Sequence, residues 1–318
     1  MLRKRLLFLP AVLIPIIGII IGSSLDLQIN QAIYDRYNGF GIFFSAFGEF
    51  PVYSFLGVMA AGFISLCKSF KKVWQRILLI VLAIGCFGVS IYFQGKHIFA
   101  LNAYDRDDLL LVGFAIAAVM VGLAYVAGYF LFKYATLNPK QILIILLTVA
   151  VIYGVSIGIN QLLKLGMARP RSRFLFDTDT VGSNYRNWWE SGKSVRENWV
   201  GELFPNGREI TKEEFKSFPS GHLANTALFL PMFMTVPMIN NHVKIKDWVI
   251  VGISTAWCML LAYTRMRVGA HYLSDVSFGG LGTVIVCIAL NQLGAYFYRK
   301  YGTDEVKEEP SEPAQENE

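Results

Sequence analysis

Apolar positions in this chain mostly run on without interruption, rather than alternating with polar ones at the period of a surface helix or a half-buried strand. The runs fall near residues 6–23, 51–67, 77–93, 109–132, 141–163, 221–239, 248–263 and 276–298, with the polar residues gathered between them. A helix rises about 1.5 Å per residue, so about 20 residues cross a hydrocarbon layer about 30 Å thick. The pattern predicts an all-α polytopic membrane bundle of about eight transmembrane helices, the second and seventh being the shortest. Composition agrees, since 54% of the 318 residues are hydrophobic, only 16% are charged and the mean hydropathy is +0.45. That balance excludes an ordinary soluble domain.

Charge adds an orientation. A net charge of +6 would suit nucleic acid, but the cations sit in short clusters at the ends of apolar runs, which is a topology signal. The first run, after Arg3, Lys4 and Arg5, is read as an uncleaved span because it holds Pro10 and Pro15 and lacks a small-x-small cleavage site. From a cytoplasmic N-terminus, the inside segments collect Lys68, Lys71, Lys72, Arg76, Lys133, Lys140, Lys244, Lys246, Arg299 and Lys300. The short outside loops hold Arg36, Lys96 and Arg106 beside Asp26, Asp35, Glu49, Asp105, Asp107 and Asp108. Both termini are therefore expected inside. The acidic, Pro-containing residues of 299–318 read as a disordered cytoplasmic tail. Cys67, Cys86, Cys258 and Cys287 lie in or beside apolar runs and imply packing, not a disulfide framework.

Three polar stretches then fall on the outer side. In the first, Arg265, His271 and Asp275 stand at fixed spacing between apolar runs. If a helix starts near His271, Asp275 lies one turn on, where its carboxylate could hold the imidazole by one nitrogen and leave the other to attack. A Gly-containing turn could bring the Arg265 guanidinium back over the same point, a fork suited to phosphate. In the second, Ser217-Phe218-Pro219-Ser220-Gly221-His222 opens a span. Ser220 can cap the helix and Gly221 admits an oxyanion to the backbone, although Pro-Ser-Gly-His alone reads equally well as an N-cap with an interfacial histidine. In the third, Lys164, Arg169, Arg171 and Arg173 cluster on the side where the positive-inside rule does not put them, which calls for an anionic substrate.

His222, His271 and Asp275 could in principle hold a divalent metal, but the surrounding Lys164, Arg169, Arg171, Arg265 and Arg267 would repel it, so no metal and no other cofactor is expected. The remaining histidines, His97 and His242, read as surface residues. In the long polar loop 173–217, Tyr185, Trp188, Trp189 and Trp199 either anchor the headgroup layer or line the substrate entrance.

With these residues in view, the chain resembles the type 2 phosphatidic acid phosphatase superfamily, membrane phosphatases related in their site to soluble vanadium haloperoxidases and bacterial acid phosphatases. The family pattern is Lys-x6-Arg-Pro, Pro-Ser-Gly-His, then Ser-Arg-x5-His-x3-Asp. Here it stands as Lys164-x6-Arg171 with Ser172 in place of proline, Pro219 to His222 intact, and Thr264-Arg265-x5-His271-x3-Asp275. An Arg-Pro pair, Arg169-Pro170, also occurs two residues early, but Arg171 keeps the register.

The resemblance implies a six-helix phosphatase core within 71–298, with residues 1–70 as added N-terminal transmembrane helices. It implies that His271 attacks phosphorus to form a phosphohistidine, oriented by Asp275, while His222 protonates the leaving oxygen and then activates water. Lys164, Arg171, Ser220, Gly221 and Arg265 would bind the phosphate oxygens without a metal. The expected substrate is a lipid phosphate or diphosphate in the bilayer, taken from the extracytoplasmic face of a bacterial inner or plasma membrane. A lipid phosphotransferase would use the same intermediate with an alcohol in place of water. A transporter would need ionisable residues in mid-span and related halves, and neither is present. A haloperoxidase-like oxidant does not suit a bilayer-spanning composition.

Overall fold

The computed structural model describes residues 9–99, 101 and 107–302. The basic residues Arg3, Lys4 and Arg5, the loop residues Asp105 and Arg106 and the acidic tail after Gly302 lie outside the described residues. The chain folds as helices α1 (Leu9–Ile33), α2 (Gly39–Phe47), α3 (Phe50–Leu66), α4 (Val73–Phe99), α5 (Leu110–Lys133), α6 (Pro139–Met167), α7 (Ser172–Asp177), α8 (Val181–Asn184), α9 (Lys193–Trp199), α10 (Gly221–Thr226), α11 (Phe229–Ile239), α12 (Asp247–Arg267) and α13 (Leu273–Tyr301). Among the described residues there is no strand, only one isolated bridge between Leu203 and Glu209.

Among the described residues, eight segments are long and apolar enough to span a bilayer, with α2–α3, α6–α7 and α10–α11 each counting as one. The polytopic all-α bundle expected from the apolar runs is therefore present. Its outer surface is hydrocarbon: Leu111 is 82% exposed and Ile20 66%. Such a surface is stable only where lipid is the solvent, so the protein is an integral membrane protein.

In space the first two spans are integral to this body. Helix α3 lies at its centre, packed between α4 and α5, with Tyr53, Met59 and Ala60 fully buried. Helix α13 packs along α1, α6 and α10. The buried residues of α1 are Gly18, Gly22, Asp26 and Asn30. Their four-residue spacing makes one stripe, small where α13 crosses and polar beyond. A side chain at Gly22 would collide with the Ser274 backbone. The stripe also explains why α1 runs on to Ile33, past the end of its apolar run at residue 23: its polar turns face protein, not lipid. Asp26 and Glu49, expected in outside loops, lie instead within the helical body, at 1% and 2% exposure.

The polar segment between α7 and α10 is folded. Phe174, Leu175, Val195, Phe204, Ile210, Phe215 and Tyr272 form a core of their own, which fixes this cap on the end of the bundle.

Candidate functional site

Three chain reversals bring the polar stretches together. Asn138 and Gln141 form a capping box with Pro139 at the first turn of α6, and the helix then runs unbroken to Met167. Ala168 adopts a left-handed conformation (φ 49°), which turns Arg169-Pro170-Arg171 back over the bundle. Gly192 presses against that turn and donates its amide to the Met167 carbonyl at 2.8 Å. At the end of α12, Gly269 has φ +67°, and a side chain there would strike Tyr34 and Arg173. That turn closes on Arg265, whose carbonyl accepts the Ala270 amide at 3.0 Å.

Ser220 caps α10, its hydroxyl accepting the Leu223 amide at 3.4 Å, and its own amide donates to the Asp275 carbonyl at 3.0 Å. Helix α13 crosses this cap so closely that a methyl group at Gly279 would collide with the Ser220 carbonyl. Asn160 of α6 donates to the same carbonyl at 3.3 Å. The Lys164 ammonium lies over Gly221, 3.2 Å from where a β-carbon would stand. Lys164 and the Pro-Ser-Gly-His turn therefore share one wall.

His271 is 1% exposed. Its Nδ1 lies 2.6 Å from the Ser217 carbonyl, which can only accept, so that nitrogen carries the proton. The Nε2 atom is buried without a hydrogen-bond partner, which leaves its lone pair available. Burial first, then the positive fields of Arg171, Lys164 and Arg265, holds the imidazole well below its ordinary value of 6.5, against the smaller opposite pull of the Ser217 carbonyl. The ring is therefore neutral at neutral pH. His222 stands across the site, with ring centroids 6.3 Å apart.

Asp275 differs from its expected part. Its carboxylate is 3.9 Å from His271 Nδ1, too far for a hydrogen bond. It instead accepts the Ser217 hydroxyl at 2.5 Å, the Tyr272 amide at 2.9 Å and Arg169 Nη1 at 2.5 Å. It thereby fixes Ser217, and the Ser217 carbonyl fixes the imidazole. The hold on the ring is real but passes through a residue at the edge of the second motif.

The two neighbouring arginines separate cleanly. Arg169 is completely buried, its Nη2 on Asp26 at 2.9 Å, its Nη1 on Ser274 at 2.9 Å and Asp275, its Nε on the Arg186 carbonyl at 2.9 Å. Its guanidinium also stacks on the Tyr272 ring at 4.1 Å. Every edge of the fork is committed to protein. Arg171 donates Nε to the Glu213 carbonyl at 2.8 Å and contributes to the field at His271. Arg265 donates to Ser45 of α2 and contributes to the same field. Arg173 is paired with Glu214 through two hydrogen bonds, at 2.8 and 3.0 Å. Arg267 lies outside the site, bonded to Tyr263 at 2.7 Å.

Four residues that hold this arrangement escaped the motif reading. Asp26 bridges Arg169 and the Ser274 amide, and Asn30 donates to the Ser172 hydroxyl at 2.7 Å and to the His271 carbonyl at 2.9 Å. The four-residue spacing Gly18, Gly22, Asp26, Asn30 was the available signal. His97, expected on the surface, is mostly buried and stacks on Tyr53, beside Glu49 and 4.9 Å from the His222 ring. Nothing local in the sequence marked Glu49 or His97 as neighbours of His222.

The loop aromatics serve neither of the two expected parts in the main. Tyr185 packs on Tyr272, Trp199 on Phe174, and Trp188 stacks between Phe218 and Phe278 while its indole donates to Ser23 at 3.0 Å. They build the cap. Trp189 alone of these is 52% exposed.

Comparison with known proteins bears on the same residues. Residues 142–298 match the model of the PAP2 superfamily. A protein named phosphatidylglycerophosphatase B from Haemophilus influenzae is 29% identical over 162 residues, 46% of this chain and 63% of that one. A protein of the same name from Bacillus subtilis is 29% identical over 90 residues, 27% of this chain and 42% of that one. The chain thus spans less than two thirds of the length of either relative. No solved structure matches it. Lys164, Arg171, Ser220, Gly221, His222, Arg265, His271 and Asp275 all lie inside the matched segment, and over residues 142–298 the chain is a member of the PAP2 superfamily.

Proposed function

We propose that this protein is a lipid phosphate phosphatase in which His271 Nε2 attacks phosphorus and carries the phosphoryl group as a phosphohistidine. One observation carries the reading: a buried, neutral imidazole has its Nδ1 proton tied to the Ser217 carbonyl and its Nε2 unpartnered, amid the charges of Lys164, Arg171 and Arg265. A nucleophile needs the free lone pair, and the developing charge on the equatorial oxygens needs fixed cations in a low-dielectric site. His222, on the far side, gives a proton to the leaving oxygen and takes one from the water that releases phosphate.

A lipid substrate is supported by an apolar cavity of about 330 Å³ between α1 and helices α10 to α13, lined by Ile14, Gly18, Leu223, Cys258, Leu273 and Val276 among others. Leu223 and Leu273 stand beside His222 and in the residue pair after His271, so a tail can lie there while its phosphate meets the histidines. The names of the two relatives make phosphatidylglycerophosphate the first substrate to test. The charge asymmetry between loops supports a site on the extracytoplasmic face with both ends of the chain inside.

The test is phosphate release by purified protein from phosphatidylglycerophosphate, phosphatidic acid and a polyprenyl diphosphate, with His271→Ala as the blank. Labelled substrate should transfer phosphate to the wild-type protein and not to the variant. Full activity of a folded His271→Ala protein sinks the mechanism. For sidedness, a cysteine placed at Trp189 should react with an impermeant thiol reagent in intact cells; reaction only after lysis reverses the orientation.

A further inference from the structure

Glu49 lies in the break between α2 and α3, outside the segment shared with the family model, and is 2% exposed. Its two oxygens have unequal surroundings. Oε2 accepts from the Tyr53 hydroxyl and from Asn225 Nδ2 at 2.7 Å, with His97 Nε2 at 3.5 Å. Oε1 has no hydrogen-bond partner and faces His222 Nε2 at 3.5 Å, which is also buried without a partner. A buried carboxylate oxygen and a buried ring nitrogen, each unsatisfied and 3.5 Å apart, would both gain a partner from one proton on Nε2 with a small approach of the two side chains. The other ring nitrogen, Nδ1, is then the one available to substrate.

We propose that Glu49, held by Tyr53, Asn225 and His97, is the positioning residue and counter-charge that lets His222 act as acid and base. This rests on the reading of His222 given above. The groups around His222 are Arg265 of α12, Lys164 of α6, His97 of α4, His271 of the α12–α13 turn and Glu49. Cations that suit a phosphate oppose an imidazolium, and Glu49 is the one carboxylate among these neighbours.

The proton balance is simple. As His271 Nε2 bonds to phosphorus, the P–O bond to the alcohol breaks and its electron pair passes to the leaving oxygen. That oxygen takes the Nδ1 proton of the His222 imidazolium. Neutral His222 then takes a proton from water as the water oxygen bonds to phosphorus; the P–N bond breaks, its electron pair returns to His271 Nε2, phosphate leaves and the His222 imidazolium is restored. Glu49 stays ionised throughout.

The test compares wild type with Glu49→Gln as full-length protein in detergent, on two substrates. One is phosphatidic acid, whose alkyl alcohol is a poor leaving group; the other is a nitrophenyl phosphate bearing an alkyl chain, whose phenolate leaves without a proton. A general-acid contribution of about 10²-fold or more should be lost on the first substrate, with a loss at least tenfold smaller on the second. The alkaline limb of kcat should also move to lower pH in the variant. Equal losses on both substrates with an unmoved pH profile would reduce Glu49 to packing and overturn the inference.

If Glu49→Gln does not fold, Asn225→Ala, which frees one bond to Oε2, should show the same leaving-group discrimination to a smaller degree; its absence there overturns the proposal equally. Glu49, His97 and His222 also offer three ligand atoms within 4.8 Å of one another. Loss of wild-type activity on chelation, restored by zinc, would assign the cluster to a metal instead. A wild-type protein that releases phosphate from neither substrate refutes the phosphatase reading itself, whatever Glu49 does.

Discussion

Arg169 and Arg171 are two residues apart, yet their replacement by lysine should have different consequences for stability. The Arg169 guanidinium reaches Asp26, Ser274, Asp275 and the Arg186 carbonyl at once and stacks on Tyr272. An ammonium is a point charge with no planar fork, and it can serve one of the two carboxylates well but not both. Losing two charge-assisted hydrogen bonds at about 1.5–3 kcal/mol each costs about 3–6 kcal/mol. Removing one partner of a buried pair costs about 3–5 kcal/mol by itself, which falls in the same range. Against a total stability of about 5–15 kcal/mol the loss is large. At about 2–4 °C per kcal/mol, the apparent melting temperature of Arg169→Lys should fall by about 6–24 °C.

Turnover should fall with it, because Asp275 holds Ser217 and the Ser217 carbonyl holds the nucleophile, where a shift of about 1 Å costs about 10²-fold. Arg171→Lys should leave melting within about 4 °C, since only the bond to the Glu213 carbonyl is at risk. It should still lose about 10²-fold in kcat/KM on the proposed function, because a planar fork offered to phosphate becomes a point charge. Melting followed by intrinsic fluorescence in detergent, beside phosphate release from phosphatidic acid, separates the two. An Arg169→Lys protein that melts like wild type, or an Arg171→Lys protein that loses stability and keeps kcat/KM, refutes the assignment of one arginine to scaffold and the other to substrate.

Three further outcomes follow from the same geometry. Ser217→Ala removes the hydroxyl that Asp275 accepts but keeps the carbonyl on His271; kcat should fall about tenfold with KM little changed, and a change confined to KM would contradict the orienting chain. Gly279→Ala drives a methyl group into the Ser220 carbonyl, which should cost about 1–3 kcal/mol in melting and impair turnover together; wild-type behaviour in both would show that α13 can yield there. Burial alone would raise the Glu214 carboxyl, but the Arg173 guanidinium and its hydrogen bonds outweigh it and hold the group at about 2, from an ordinary 4.5. That shift stabilises the fold by about 3 kcal/mol above pH 4.5, a contribution lost as the pH falls toward 2, so Glu214→Gln should flatten the stability profile in that window.

The bundle and the three motifs proposed to meet phosphate were legible because both signals are local. An uninterrupted apolar run declares a span, and Lys164-x6-Arg171, Pro219 to His222 and Arg265-x5-His271-x3-Asp275 keep their spacing whatever surrounds them. What escaped was the support. Asp26 and Asn30 were hidden by an apolar run that stops at residue 23 while its helix continues to Ile33. Read as loop polarity, Asp26 counted toward topology; read at four-residue spacing from Gly18, it belongs to a face.

Glu49 and His97 were hidden more deeply, because a single carboxylate and a single histidine from different spans carry no pattern until the helices are packed. Their burial changes how the charge of the site is understood. The site gathers Lys164, Arg171 and Arg265 around His271, and the charges that would favour a phosphate disfavour a protonated histidine beside it. At His271 that conflict helps, since the nucleophile must stay neutral, and its proton is tied to a carbonyl instead of a carboxylate. At His222 it hinders, since an acid must hold a proton before giving it up. The two histidines differ in the group behind each ring: a neutral carbonyl behind His271 and a carboxylate behind His222. On the proposed mechanism one cationic pocket can therefore keep one imidazole as a nucleophile and the other as an acid, and the packing behind each ring supplies a physical reason for the division of roles that the motif resemblance implies.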